Sequence, residues 1–284
     1  MASAKGERID VVSPDGVRIA VELRGEPGRP PIVLLHGGAQ SRSAWRGGAQ
    51  MFAEHGFRVA SMDLRGHGES DWSREGDYSF DRHIGDLVAV IRALGPPAVL
   101  LGASLGGHVS LLTAARHPEL VSLLMLADVT PWIDEEAGDA MRETMRRAVD
   151  GYATVEEAAA MVDRLRGSAS RGSASGLRPH LDEREDGRFY WRWDARFVED
   201  RFVRHGGEGG LFALAAQSLR VPVFVMRGAL SEVTSPAQIE RFARAVPALS
   251  FVEISGVGHM VTGESNDAYA RAALSHLAER GLSS

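Results

Sequence analysis

The sequence predicts an α/β fold: a mostly parallel twisted sheet with helices on both faces. Two observations lead there. Six short apolar runs recur along the chain, "PIVLLHG" (31–37), "FRVASMDL" (57–64), "AVLLGAS" (98–104), "VSLLMLAD" (121–128), "VPVFVMRG" (221–228) and "LSFVEIS" (249–255). They lack the strict apolar–polar alternation of a half-wet sheet, as expected of strands buried on both faces. Stretches of helical period separate them, such as 80–94, where Ile84, Leu87, Val88 and Ile91 share one face.

The chain opens differently. "ERIDVVSPDGVRIAVELRG" (7–25) reads as two strands joined at Pro14-Asp15-Gly16, an antiparallel start. Between Pro131 and about Gly210 the alternation stops. No buried strand is evident there, only helical patterns rich in Arg, Glu and Ala, the aromatic run "RFYWRWDARF" (188–197) and a tandem "RGSAS RGSAS" (166–175) that reads as a flexible connector. This divides the chain into a first core part (1–130), an inserted helical cap (131–210) and a second core part (211–284). The insertion leaves the sheet at the C-terminal end of a strand, the edge where open α/β sheets bind ligands.

Composition narrows the function. With 284 residues, 44% hydrophobic and 25% charged, the chain has ordinary globular composition and length for a substantial core. A net charge of −6 without a concentrated basic patch argues against a nucleic-acid partner, and no apolar run approaches ~18 residues, so no membrane partner is expected. The absence of cysteine excludes disulfides, thiolate metal sites and cysteine nucleophiles. No metal-binding spacing such as H-E-x-x-H appears, and neither a metal nor another cofactor is expected. The N-terminal "MASAKGERID" has no apolar signal core, so a cytoplasmic protein acting on a small molecule is the expectation.

Gly102-Ala103-Ser104-Leu105-Gly106 matches G-x-S-x-G between an expected strand and helix. Such a turn holds a serine nucleophile on a strained elbow. A phosphate-binding loop would need a Gly-Lys-Ser/Thr ending, and a dinucleotide fingerprint would need glycine where Ser104 stands. A serine hydroxyl needs a base, and the base needs an acid to orient it.

Ten histidines are available. His36 and His67 sit in "HGG" and "RGHG" turns and read as structural. His108 lies one turn into the elbow's helix and reads as packing. His55, His83, His117, His180 and His205 read as surface residues, and His276 as partly exposed on the last helix. His259, in the tight "GVGHM" loop after the last strand, is the candidate base.

Together "LLHGGAQS", "DLRGHGES", "GASLGG", the acidic loop after "VPVFVMRG" and "GVGHM" resemble the α/β-hydrolase superfamily, in family order from about residue 8 to 280. Within it, the likeness is to the cap-bearing branch of small-molecule esterases, lactonases, C–C hydrolases and their relatives. The resemblance implies an acyl-enzyme on Ser104 with His259 as base. It implies an oxyanion hole from the backbone N–H groups of Leu105 and Gly38, with Ala39 next in line. Asp63 resembles the residue that pins the family's "DLRGHG" turn. For the acid, the usual family position points to Glu232 in "ALSEVTSP", with Asp128 at the end of "LLMLAD" as the alternative.

The expected function is a serine hydrolase for a small, mostly apolar ester or lactone. Trp132 and Trp191 are the named pocket candidates, alongside Phe189, Tyr190 and Trp193. A ligand receptor or pseudo-enzyme on the same fold is the alternative, as is a cofactor-free perhydrolase or haloperoxidase, a C–C hydrolase or a lyase using the same residues.

Overall fold

Side chains in five of the six apolar runs alternate between two buried faces, and this sets the layers; the sixth, at 249–255, forms an edge strand that leaves Phe251 and Val252 exposed. The computed structural model describes residues 6–27, 30–132, 135–166, 177–198, 209–259 and 264–282. Its main sheet contains β1 (Glu7–Val12), β2 (Arg18–Arg24), β3 (Ile32–Leu35), β4 (Val59–Met62), β5 (Ala98–Ala103), β6 (Val121–Ala127), β9 (Val223–Gly228) and β10 (Leu249–Ile254). The order is β1-β2-β4-β3-β5-β6-β9-β10. Strand β2 runs antiparallel to both its neighbours, and all other pairings are parallel.

On one face, Val33, Leu35, Leu100, Leu124, Leu126, Val223 and Val225 meet α2 (Phe80–Leu94), α3 (Leu105–Arg116), α6 (Gly209–Ser218) and α7 (Pro236–Ala245). Their neighbours Ile32, Leu34, Val99, Leu101, Leu123, Met125, Phe224 and Met226 pack on the other face. There they meet α1 (Arg46–Glu54) and α8 (Glu264–Glu279) through residues such as Phe52, Tyr269 and Leu277. Period-two sequence thus builds two cores, each fully buried aliphatic side chain contributing about 1.5–3 kcal/mol.

The segment between β6 and β9 contains α4 (Glu135–Ala148), α5 (Val155–Arg166) and an antiparallel hairpin, β7 (Leu181–Glu183) with β8 (Phe189–Trp191). The hairpin departs from the all-helical expectation. Its strands are three residues each, too short to show a period, but the aromatic run at 189–191 favours extended backbone, and Gly187 turns the chain at φ +73°. From Gly167 onward the tandem repeat lies outside the described residues.

The insertion is fastened to the core by backbone. Gly68 N–H donates to the Arg192 carbonyl at 2.8 Å and Asp194 N–H to that of Gly66 at 2.8 Å. The buried Asp194 carboxylate accepts from Tyr78 Oη at 2.5 Å and from the Arg196 guanidinium at 2.6 Å. Among the described residues, no helix is long and apolar enough to cross a membrane, and no group of three or more His, Asp or Glu side chains is placed to hold a metal.

Close packing of α3 on the strand ends depends on glycine. A Cβ on Gly106 would lie 2.6 Å from the carbonyl oxygens of both Leu35 and His36, whereas one on Gly85, within α2, meets nothing within 4 Å. Gly106→Ala is therefore expected to lower the thermal midpoint by about 5–15 °C, the result of roughly 2–4 kcal/mol of strain. Gly85→Ala, which removes backbone entropy from the unfolded chain at an open helical site, is expected to raise it slightly. Calorimetry on the two variants checks the pair, and equal effects would contradict this packing.

Candidate active site

Strand β5 delivers Ser104 to a backbone conformation that non-glycine residues seldom adopt, φ 47° and ψ −118°. The chain reverses there into α3 with no room for side chains on either side. A Cβ on Gly102 would lie 2.4 Å from the Gly106 carbonyl oxygen. The turn therefore projects the Ser104 side chain at the C-terminal edge of the sheet, beside the loop that follows β3, where an ideal Cβ on Gly37 would sit 3.3 Å from the Ser104 Cβ. Leu105 N–H is the first of α3 and has no carbonyl one turn behind it.

Strand β6 ends one residue before Asp128, which is wholly buried and also at positive φ, 55°. A buried carboxylate needs donors, and here they come from three directions. Gly228 N–H, at the end of β9, donates to Oδ1 at 3.0 Å. Ser231 Oγ donates to Oδ2 at 2.5 Å, and His259 Nδ1 donates to the same oxygen at 2.8 Å. The backbone of Asp128 is held as well, its N–H by the Met226 carbonyl and its carbonyl by Thr234 Oγ1. With Nδ1 carrying the proton, Nε2 of His259 is the ring's acceptor.

The expectation for Glu232 is not met. Its side chain is exposed on the β9–α7 loop, with no hydrogen bond or ion pair to any described residue. The adjacent Ser231 takes the inward position, so this loop brings a hydroxyl to the histidine's partner instead of a carboxylate. The carboxylate against His259 is that of Asp128.

The His259 loop is tied down by Leu230 N–H to the Val257 carbonyl at 2.9 Å and by Tyr269 Oη to the Gly258 carbonyl at 3.2 Å. Burial, then the nearby Asp128 charge, raise the Tyr269 pKa and keep the phenol protonated as a donor.

Two buried histidines shape the loop after β3. His36 Nδ1 donates to the Gly37 carbonyl at 2.7 Å while Nε2 accepts from Leu64 N–H at 3.0 Å. His67 Nδ1 donates to the Arg65 carbonyl at 3.0 Å, and its Nε2 accepts from Ala39 N–H at 3.2 Å. Desolvation lowers His36 from 6.5 to about 4 and His67 to about 3, so each stays neutral, as an acceptor at Nε2 requires.

Because Ala39 N–H is engaged by His67, it is withdrawn from other work. Gly37 N–H is likewise taken by Gln40 Oε1 at 2.9 Å. Gly38 lies between them, and its N–H has no acceptor among the described residues. Asp63 fixes the neighbouring turn, accepting from Arg42 N–H at 2.6 Å, Glu69 N–H at 2.9 Å and the Arg42 guanidinium.

A family model described as the alpha/beta hydrolase fold matches residues 30–159. An esterase of Mycobacterium tuberculosis is 30% identical over 244 residues, covering 82% of this chain and 78% of that protein. The chain belongs to the α/β-hydrolase superfamily. It is also 29% identical over 257 residues to the 2-(acetamidomethylene)succinate hydrolase of Mesorhizobium japonicum, covering 86% of each. Among solved structures, an E-2-(acetamidomethylene)succinate hydrolase superposes with a TM-score of 0.79 over 95% of this chain and 98% of that one, at 24% identity.

In this α/β-hydrolase the insertion lies against the β3 loop. Met145 of α4 and Phe197 stand over Gly38, where an added Cβ would meet Met145 Cε at 3.1 Å and the Phe197 ring at 3.5 Å. Phe197 also packs edge-on to His67, ring centroids 4.9 Å apart. Neither residue was evident from the sequence. Met145 falls on a charged helix, and Phe197 closes an aromatic run whose other members were singled out.

Of the other aromatics, Trp191 and Trp193 belong to the same apolar cluster as Met145 and Phe197. Trp132 lies edge-on to Phe242 of α7 at 6.2 Å, with the Arg241 guanidinium 4.0 Å above its ring. Trp191 packs on Tyr152 at 6.3 Å, and Trp193 is buried in the same cluster. His108 donates to the Thr130 carbonyl and stacks on Phe212 at 4.3 Å, while His205 lies outside the described residues.

His83, expected at the surface, is fully enclosed, with neither ring nitrogen bonded among the described residues, and His276, expected to be partly exposed, is buried and stacks on Phe224 at 3.9 Å. Helical spacing explains His83, which shares its face of α2 with Leu87, Val90 and Ile91.

Burial sets the acid sensitivity of the fold. Desolvation holds His36 and His108 at about 4, His67 at about 3 and His83 well below 6.5. Each is depressed relative to the unfolded chain, so its stabilising contribution is complete above about pH 6.5 and is lost as pH falls toward 4. At pH 5.5 unfolding is expected to take up about three to four protons at these sites, with a falling thermal midpoint. Calorimetric unfolding in buffers of different ionisation heat measures that uptake, and no net uptake would place these rings in solvent.

Proposed function

We propose that this protein is a serine hydrolase that cleaves small esters through an acyl-enzyme on Ser104, with His259 as general base and Asp128 as the orienting acid. The observation that carries this reading is the 2.8 Å contact of His259 Nδ1 with the buried Asp128 carboxylate, at the same sheet edge as a serine on a strained elbow. The esterase and hydrolase relatives support hydrolysis as the reaction class.

Nε2 of His259 takes the Ser104 proton as Oγ attacks the carbonyl carbon. The Asp128 carboxylate fixes the tautomer and stabilises the imidazolium that forms. Gly38 N–H and Leu105 N–H are the donors for the developing oxyanion, since Ala39 N–H is already committed to His67. His259 returns the proton to the leaving group, and a water activated by the same nitrogen releases the acid product.

The insertion acts as a cap in this reading. Met145 and Phe197 give the substrate an apolar wall beside the oxyanion donors, which favours a small apolar ester or lactone over a highly charged one.

Hydrolysis of p-nitrophenyl acetate tests the assignment. Ser104→Ala is expected to lower kcat by about 10⁴-fold or more while moving the thermal midpoint by only a few degrees. A stoichiometric burst with no steady state in the parent would indicate a receptor-like protein instead. Asp128→Asn is expected to cost about 10³–10⁴-fold and Glu232→Gln less than about twofold. The opposite order would return the acid role to Glu232.

A further inference from the structure

We infer that Ser231 is a positioning residue of the catalytic site, its hydroxyl holding the Asp128 carboxylate in the orientation that His259 requires. This rests on the reading of Asp128 and His259 given above and adds a residue to it.

The argument is one of hydrogen-bond valence. A serine hydroxyl has one proton and two lone pairs. Val233 N–H and Thr234 N–H donate to Ser231 Oγ at 3.2 and 3.0 Å, which occupies both lone pairs. The single proton then has one acceptor in reach, Asp128 Oδ2 at 2.5 Å. The hydroxyl is therefore an oriented donor, not a rotor that shares its proton with water.

That donor meets the oxygen that also receives His259 Nδ1–H. Gly228 N–H alone, on the other oxygen, would leave the carboxylate free to turn about its Cβ–Cγ bond. Two donors on Oδ2 and one on Oδ1 remove that freedom. The backbone of Ser231 is fixed as well, its N–H donating to the Gly228 carbonyl at 3.0 Å. One short loop thus fixes the carboxylate's orientation and, through Leu230 and Val257, the loop carrying the histidine.

There is an electronic consequence. A donor on Oδ2 withdraws negative charge from the oxygen facing the imidazole. Removing it returns that charge to the oxygen that receives the imidazole N–H.

Ser231→Ala and Ser231→Thr, each made in the parent and in Asp128→Asn, test the inference with p-nitrophenyl acetate. Ser231→Ala is expected to lower kcat about tenfold, in line with loss of one charge-assisted bond, with KM changed less than about twofold. Ser231→Thr, which keeps the hydroxyl, is expected to restore most of the loss.

In Asp128→Asn the Ala substitution is expected to add no further loss, because the group it acts through is gone. The downfield proton resonance of the His259–Asp128 bond is expected to move further downfield in Ser231→Ala, a readout independent of turnover.

An unchanged kcat in Ser231→Ala, or an equal loss in both backgrounds, would overturn the inference and leave the triad standing. Full activity in Asp128→Asn would overturn the triad acid and this inference together.

Discussion

A carboxylate with no exposure at the end of a central strand constrains this site more than any other group. Leaving Asp128 charged and unpaired there would cost several kcal/mol, so donors had to be brought to it. They arrive from the end of β9, from the loop after β9 and from the loop after β10. Three separate pieces of chain are thereby held at one point. The histidine's orientation follows from satisfying the buried charge, and no part of that arrangement uses the exposed Glu232.

Backbone strain is confined to the same region. Ala39, Ser104 and Asp128 are the non-glycine residues at positive φ among those described, at 60°, 47° and 55°. They belong to the loop after β3, the elbow and the acid, the three backbone stations of the proposed chemistry. Each costs of order 1–3 kcal/mol and persists because its surroundings fix it. For Ala39 the fixing partner is His67, for Ser104 the glycine packing of α3, and for Asp128 the bonds from Met226 and Thr234. The two aliphatic cores supply the stability against which such strain can be held.

This explains which features could be read from the sequence. Each expected run is a strand of the sheet; five were legible because a buried parallel strand has to be apolar along its whole length, whereas β10 lies at the edge with Phe251 and Val252 exposed, not buried on both faces as expected. The strained turn at Ser104 was legible because an elbow needs glycine two residues to each side. The carboxylate that meets His259 was not. Both candidates follow apolar strands, and choosing between them depends on which side chain of "LSEV" turns inward, a property of loop packing that leaves no period.

Ser231 was overlooked for the same reason, since a serine beside a glutamate in a loop reads as solvated. His83 is the exception, because its spacing from Leu87 and Val90 places it on the buried face. Aromatic bulk draws attention to Trp132 and Trp191. Trp191 joins the cluster of Met145 and Phe197 beside the loop after β3, whereas Trp132 packs on Phe242.

The way the insertion is fastened bears on how such a scaffold changes specificity. At Arg192 and Asp194 its main chain bonds to Gly68 and Gly66, on either side of His67, and the Asp194 carboxylate also accepts from Tyr78 Oη. His67 in turn accepts from Ala39 N–H and so sets the conformation beside Gly38. Main-chain bonds place no demand on side-chain identity, whereas the wall over Gly38 is entirely side chain. On the proposed reading, Met145 and Phe197 can therefore change in size and polarity without loosening the main-chain bonds beside Gly38. In that proposal specificity and catalytic geometry meet at Gly38, encoded in different atoms.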